Sequence, residues 1–120
     1  MEKNAAGLGR LAEEFVAQRL CEMGCEVLAR NYHSRFGEID IIARRDGLLL
    51  FVEVKARKGG SLVSPFEAVT PGKQRKILLT AGQYLAENPG PLQPRFDVAA
   101  VYMQAGRAVK MEYLENAFTA

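Results

Sequence analysis

Asp40, Glu53 and Lys55 are the residues whose types and spacing could do chemistry in this chain. Two carboxylates and an ammonium in close register would suit metal-assisted attack on a phosphate. The run Gly37–Ala43 reads as a strand, and so does Leu48–Lys55, with Arg45-Asp46-Gly47 between them. An Asp-Gly pair flanked by apolar runs predicts a tight hairpin with a type I′ turn. If Asp46 and Gly47 form the loop, Arg45 pairs with Leu48. Counting outward, Asp40 then faces Glu53 and Glu38 faces Lys55. Alternation along a strand puts all four on one face. Like charges directly opposite one another are destabilising. A divalent cation between the two acids, Mg²⁺ or Mn²⁺, would turn that repulsion into attraction. A loop one residue longer would break the constellation. An ordinary ion pair, Glu53–Lys55 or Glu38–Lys55, accounts for Glu38 and Lys55 but not for Asp40 opposite Glu53.

A further acid comes from the predicted first helix, Leu8–Met23, whose apolar stripe is Leu8, Leu11, Ala12, Phe15, Val16 and Leu20. Gly24 is a stop signal. Glu14 lies far from the stripe and should face solvent. Glu13 lies at its edge, near Ala17 and Leu20, and can turn toward the sheet. With Asp40 and Glu53 holding the cation, Lys55 would orient or deprotonate the attacking water, or offset charge on the phosphate.

The remaining elements must position these groups. Glu26–Arg30 reads as a short first strand and residues 58–65 as a loop beside the site. A second helix is expected from Pro71, capped by Thr70, with Ile77, Leu78, Ala81, Tyr84 and Leu85 buried. The proline-rich stretch 88–94 reads as a surface connector. Phe96–Tyr102 reads as a buried strand and Ala108–Leu114 as an edge strand. The order α-β-β-β-α-β-β implies an α/β domain with a mixed central sheet flanked by helices.

With 120 residues, 48% hydrophobic and 25% charged, the chain suits a single globular domain, 1–120. It shows no apolar run of membrane-spanning length and no secretory leader, so a cytoplasmic protein is expected. Net charge is only +2. Its distribution says more, because Arg35, Arg44, Arg45, Arg57, Lys58, Lys73, Arg75 and Lys76 crowd the middle of the chain. That suits a polyanion once a metal occupies the acids. Cys21, Cys25 and the single His33 are too few for a zinc site or a histidine-dependent triad.

The blocks Gly37-Glu38-Ile39-Asp40 and Phe51-Val52-Glu53-Val54-Lys55, with Gly9, Glu13, Arg30-Asn31, Lys73 and Arg95-Phe96-Asp97-Val98, resemble the bacterial YraN family. That family is similar to the PD-(D/E)XK, or Holliday-junction-resolvase-like, nucleases. Ile39 stands where the superfamily name has proline, and Ala12 where a glycine would precede the helix acid. The resemblance implies a restriction-endonuclease-like α-β-β-β-α-β core. It implies metal ligation by Asp40, Glu53 and the Val54 carbonyl, with Lys55 as the catalytic lysine and Glu13 as the helix acid. The expected function is a metal-dependent endonuclease acting on DNA, branched or structured DNA included. Arg35, Arg57, Lys58, Lys73 and Lys76 would hold phosphates. A domain this small should dimerise or lean on a partner protein. The rival expectations are a non-catalytic nucleic-acid-binding module and an adaptor with a coincidental acid cluster.

Overall fold

The computed structural model describes residues 5–58 and 69–119. Its order is α1 (Ala5–Glu22), β1 (Glu26–His33), β2 (Glu38–Arg45), β3 (Leu48–Lys58), α2 (Pro71–Glu87), β4 (Gln93–Gln104) and β5 (Arg107–Phe118). The five strands form one mixed sheet in the order β1-β2-β3-β4-β5. Only β3 and β4 are parallel, as the crossover through α2 between them allows. The α/β class and the expected order of elements are both present.

The hairpin forms as its turn residues dictate. Asp46 and Gly47 both have positive φ, 52° and 82°, the requirement of a type I′ turn. Arg45 pairs with Leu48, and the register runs unbroken to Ile41 opposite Val52. Side chains of β3 then alternate between two cores. Leu48, Leu50, Val52 and Val54 join Ala12, Val16 and Leu20 of α1. Leu49 and Phe51 join Ile77 and Ala81 of α2. Glu53 and Lys55 continue the α2 side by the same alternation.

Several boundaries differ from the expectation. β1 continues past Arg30 to His33 because Asn31 adopts a left-handed backbone, φ 53°, which a short polar side chain tolerates. β3 runs to Lys58, paired with β4 along its whole length, so Lys58 belongs to the sheet. Residues 59–65 of the expected loop lie outside the described residues. Leu11, expected in the helix stripe, is 43% exposed, while Ala12, Val16 and Leu20 are fully buried. A stripe centred on that i, i+4 row leaves position 11 on its shoulder. Helix α1 ends at the expected glycine. Gly24 has φ 90°, and the Cys25 N–H donates to the Leu20 carbonyl at 2.9 Å.

Helix α2 starts as expected. Thr70 caps it, its hydroxyl accepting from the Lys73 N–H at 3.2 Å, with Pro71 in the first turn. Thr70→Ala should cost about 1 kcal/mol. A shift of the thermal midpoint by a few degrees would register it, and an unchanged midpoint would mean the cap is energetically idle. Inside the helix Thr80 is fully buried, bonded to the Lys76 carbonyl at 2.9 Å and to Ser34 Oγ at 2.7 Å. That bond ties α2 to the 34–37 turn in front of β2.

Candidate functional site

The regular hairpin stops one residue short of the acids. In an unbroken ladder Val54 would exchange its hydrogen bonds with Ile39. Instead the Val54 N–H donates to the Asp40 carboxylate, Oδ2, at 2.7 Å. A side chain has replaced a backbone carbonyl, and β2 has left the ladder. The alternation of faces breaks at the same point. Ile41 lies in the α1 core, whereas Ile39, two residues away, lies in the α2 core. Strand β1 bends in step, since left-handed Asn31 falls between Arg30, paired with Ile41, and Tyr32, paired with Ile39.

This joint kink gathers acids from two elements. Asn31 Nδ2 donates to Glu13 Oε1 at 2.9 Å and to Glu38 Oε2 at 3.0 Å. Carboxylate oxygens of Glu13, Glu38 and Asp40 lie within 4.8 Å of one another, all half-buried. Glu13 thus turns toward the sheet, as its place on the helix wheel suggested. Glu14 instead points outward to Arg30 at 2.8 Å. Glu38 does not face Lys55, because the kink turns it toward Glu13 and Asn31. His33 Nδ1 is 3.6 Å from it.

Across the gap, Glu53 is 5% exposed. Its Oε2 lies 2.6 Å from Lys73 Nζ and 3.4 Å from Lys55 Nζ. Burial, together with the charges of Glu53, Glu13 and Glu38, pushes the Asp40 carboxyl up to about 8 against the pull of the Val54 N–H. Burial and the neighbouring Lys73 push Lys55 below the usual lysine range, opposed by Glu53. Burial disfavours the charge on Lys73 as well, but its bond to Glu53, the neighbouring Lys55 and the charges of Glu53 and Asp40 together outweigh this and hold its pKa up.

An open cleft of about 550 Å³ exposes these groups, lined by Glu38, Asp40, Glu53, Gly72, Lys73 and Lys76 among others. The donor set suits a hard cation. It is made of carboxylate oxygens, and burial together with their mutual repulsion raises the Asp40 pKa. Asp40, Glu13 and Glu38 could ligate directly. Val54 turns its backbone toward β2, so its carbonyl leaves the strand on the side of Asp40. Glu53 would first have to release its lysines.

Of the expected phosphate contacts, Lys73 and Lys76 line the cleft. Arg57 follows Glu53 and Lys55 on the same side of β3, its Nη1 bonded to the Ala56 carbonyl at 3.2 Å. Arg35 lies in the 34–37 turn with its guanidinium 5.0 Å above the Phe36 ring. Lys58, at the end of β3, falls on the opposite side by alternation. Sequence reasoning put Glu38 on the face of Asp40 but opposite Lys55, and missed its grouping with Glu13 and Asn31 as the organiser. The available signals were the Arg30-Asn31 block in the family resemblance and an asparagine, a residue tolerant of left-handed backbone, between two strand-like stretches.

No helix of the described residues is long and apolar enough to cross a membrane. The chain is 42% identical over 112 residues to a UPF0102 protein of Rhodococcus opacus (strain B4), covering 92% of this chain and 95% of that one. It is 46% identical over 112 residues to a UPF0102 protein of Syntrophotalea carbinolica, with 92% and 90% covered. With a UPF0102 protein of Lachnoclostridium phytofermentans the identity is 44% over 122 residues, with 100% and 98% covered. The description "Uncharacterised protein family UPF0102" matches residues 12–101. That span takes in the helix acid, both hairpin strands, helix α2 and the start of the last hairpin, and the chain belongs to the UPF0102 (YraN) family.

Proposed function

We propose that the protein is a Mg²⁺- or Mn²⁺-dependent endonuclease that hydrolyses a phosphodiester bond in DNA, with branched or structured DNA as its preferred substrate. One observation carries this reading. A single cleft is lined by Glu38, Asp40 and Glu53, with Glu13 grouped with Glu38 and Asp40, and Lys55 3.4 Å from Glu53. Asp40, Glu53, the Val54 carbonyl and Glu13 would hold the metal, with Glu38 beside them. Bound there, the ion would polarise a phosphoryl oxygen and acidify water. The chain's own residues do the rest. The Val54 N–H fixes the Asp40 carboxylate in one orientation. Lys55, half-buried and eased toward its neutral form, can accept a proton from the attacking water or offset charge on the phosphate. Lys73, Lys76, Arg35 and Arg57 would grip phosphates without reading sequence, so binding should weaken steeply with salt. The domain is small for a duplex and would work as a homodimer or beside a protein partner.

The test is cleavage of four-way junction, flap, nicked and linear DNA with either cation. Lys55→Met should lower the rate by about 10²- to 10⁴-fold while DNA affinity falls far less. Glu53, already paired with two lysines, favours a second reading as a nucleic-acid-binding module without catalysis. Binding without cleavage of any of these substrates would select that reading.

A further inference from the structure

Glu53 shares the cleft with Asp40 but is not one of the three acids, Glu13, Glu38 and Asp40, whose oxygens all lie within 4.8 Å of one another. Glu53 is turned to its lysines instead, with both ammonium groups on the same oxygen. The two lysines are not equivalent. The Lys55 side chain is 18% exposed and enclosed, whereas that of Lys73 is 41% exposed and reaches in from the cleft rim. Lys73 also sits in the first turn of α2, where the positive end of the helix disfavours a cation. Its ion pair with Glu53, not its helix, holds it there.

We propose that Lys73 is a resident counter-ion of Glu53 that exchanges with the divalent cation. Metal entering among the acids takes the Glu53 carboxylate, and the released ammonium swings to the rim, where it binds a phosphate of the nucleic acid. The local charge rises by one unit as a dication replaces a monocation, and the carboxylates of Glu13, Glu38 and Asp40 take up that extra charge. The inference rests on the metal reading above and adds a coupling to it. Metal and nucleic acid then favour each other, since each removes one partner of the same ion pair.

The experiment is a calorimetric titration of Mn²⁺ into the parent chain, Lys73→Met, Lys73→Arg and Asp40→Asn, with no DNA present. Lys73→Met should bind Mn²⁺ about three- to tenfold more tightly, because no ion pair has to be broken first. Lys73→Arg, which keeps the cation, should stay close to the parent. In parallel, Lys73→Met should bind junction DNA more weakly in the presence of metal. A merely structural lysine would not move these two affinities in opposite directions. Equal or weaker Mn²⁺ binding by Lys73→Met, with binding lost in Asp40→Asn, overturns the counter-ion exchange alone. Absence of binding in every chain, with and without DNA, overturns the metal reading and the exchange together. Should Lys73→Met fold poorly by circular dichroism, Lys73→Gln, which keeps a hydrogen bond to Glu53, makes the same comparison.

Discussion

Asp40→Asn should abolish the proposed Mn²⁺ binding and DNA cleavage, and at the same time make the metal-free protein more stable. That pairing of effects is the expected result. Loss of an anionic ligand at the centre of the acid group should lower the cleavage rate at least about 10³-fold, since the metal carries most of the charge stabilisation. The stability gain follows from the displaced acidity. In the folded chain the Asp40 carboxyl is pushed up to about 8 from an ordinary 3.8 by burial and by Glu53, Glu13 and Glu38. The folded state therefore binds more protons than the unfolded state between about pH 4 and 8. Stability of the parent must fall as pH rises through that window, and the cost is complete above it. The asparagine never ionises, yet keeps an oxygen for the Val54 N–H. The variant and parent should match near pH 4 and diverge to about 1–3 kcal/mol above pH 8. Thermal melts across that range in chelator would show it. Saturating Mg²⁺ should reverse the order, because only the parent gains from ligand binding. A variant that is less stable than the parent at every pH would mean that Asp40 is held by favourable contacts and has no call for a cation.

Asp97→Ala is the substitution expected to cost the fold most. Asp97 is fully buried in β4. Its Oδ1 accepts from Arg95 Nε at 3.0 Å and from the Asn116 N–H at 2.9 Å. Its Oδ2 accepts from Arg95 Nη2 at 3.0 Å and from the Tyr113 hydroxyl at 2.6 Å. The pairing of β4 with β5 is irregular at this point, between Phe96 and Val98, and the carboxylate fills the gap. Removing it strands a tyrosine hydroxyl and a backbone N–H and leaves Arg95 with Glu115, 3.7 Å away, as its ion partner. Breaking such a buried pair costs about 3–5 kcal/mol, a large part of the whole stability of a domain this size. Urea unfolding should show it as a lower midpoint at unchanged slope. Asp97→Asn should cost less, because one oxygen survives. A loss below about 1 kcal/mol for the alanine would mean that β5 rearranges to recover the bonds.

The two aspartates make one comparison. Each sits where a ladder is interrupted, and each accepts a backbone N–H that the interruption frees. Asp97 has its cation, Arg95, two residues away on the same strand. Asp40 has acids around it instead.

What the sequence determined by itself was local. Asp46-Gly47 set the turn type, the turn set the register, and the register brought Asp40 and Glu53 to neighbouring positions on two strands. Gly24, Thr70 and Pro71 set helix ends for reasons confined to a few residues. The order of elements followed from periodicity, and with it the mixed sheet. Where side chains point beyond a regular ladder was decided by tertiary structure. The kink shared by Asn31 and Asp40 needs two strands to bend together, so neither strand's alternation announces it. It sent Glu38 to Glu13 and away from Lys55. It also opened the gap in which the Asp40 carboxylate meets the Val54 N–H. Likewise the pairing of Lys73 with Glu53 joins a helix to a strand 20 residues earlier, through a side chain long enough to choose among several acids. Turns and caps are fixed by dihedral preferences that each residue carries with it. A charged side chain's partner is fixed by what the completed fold leaves within its reach.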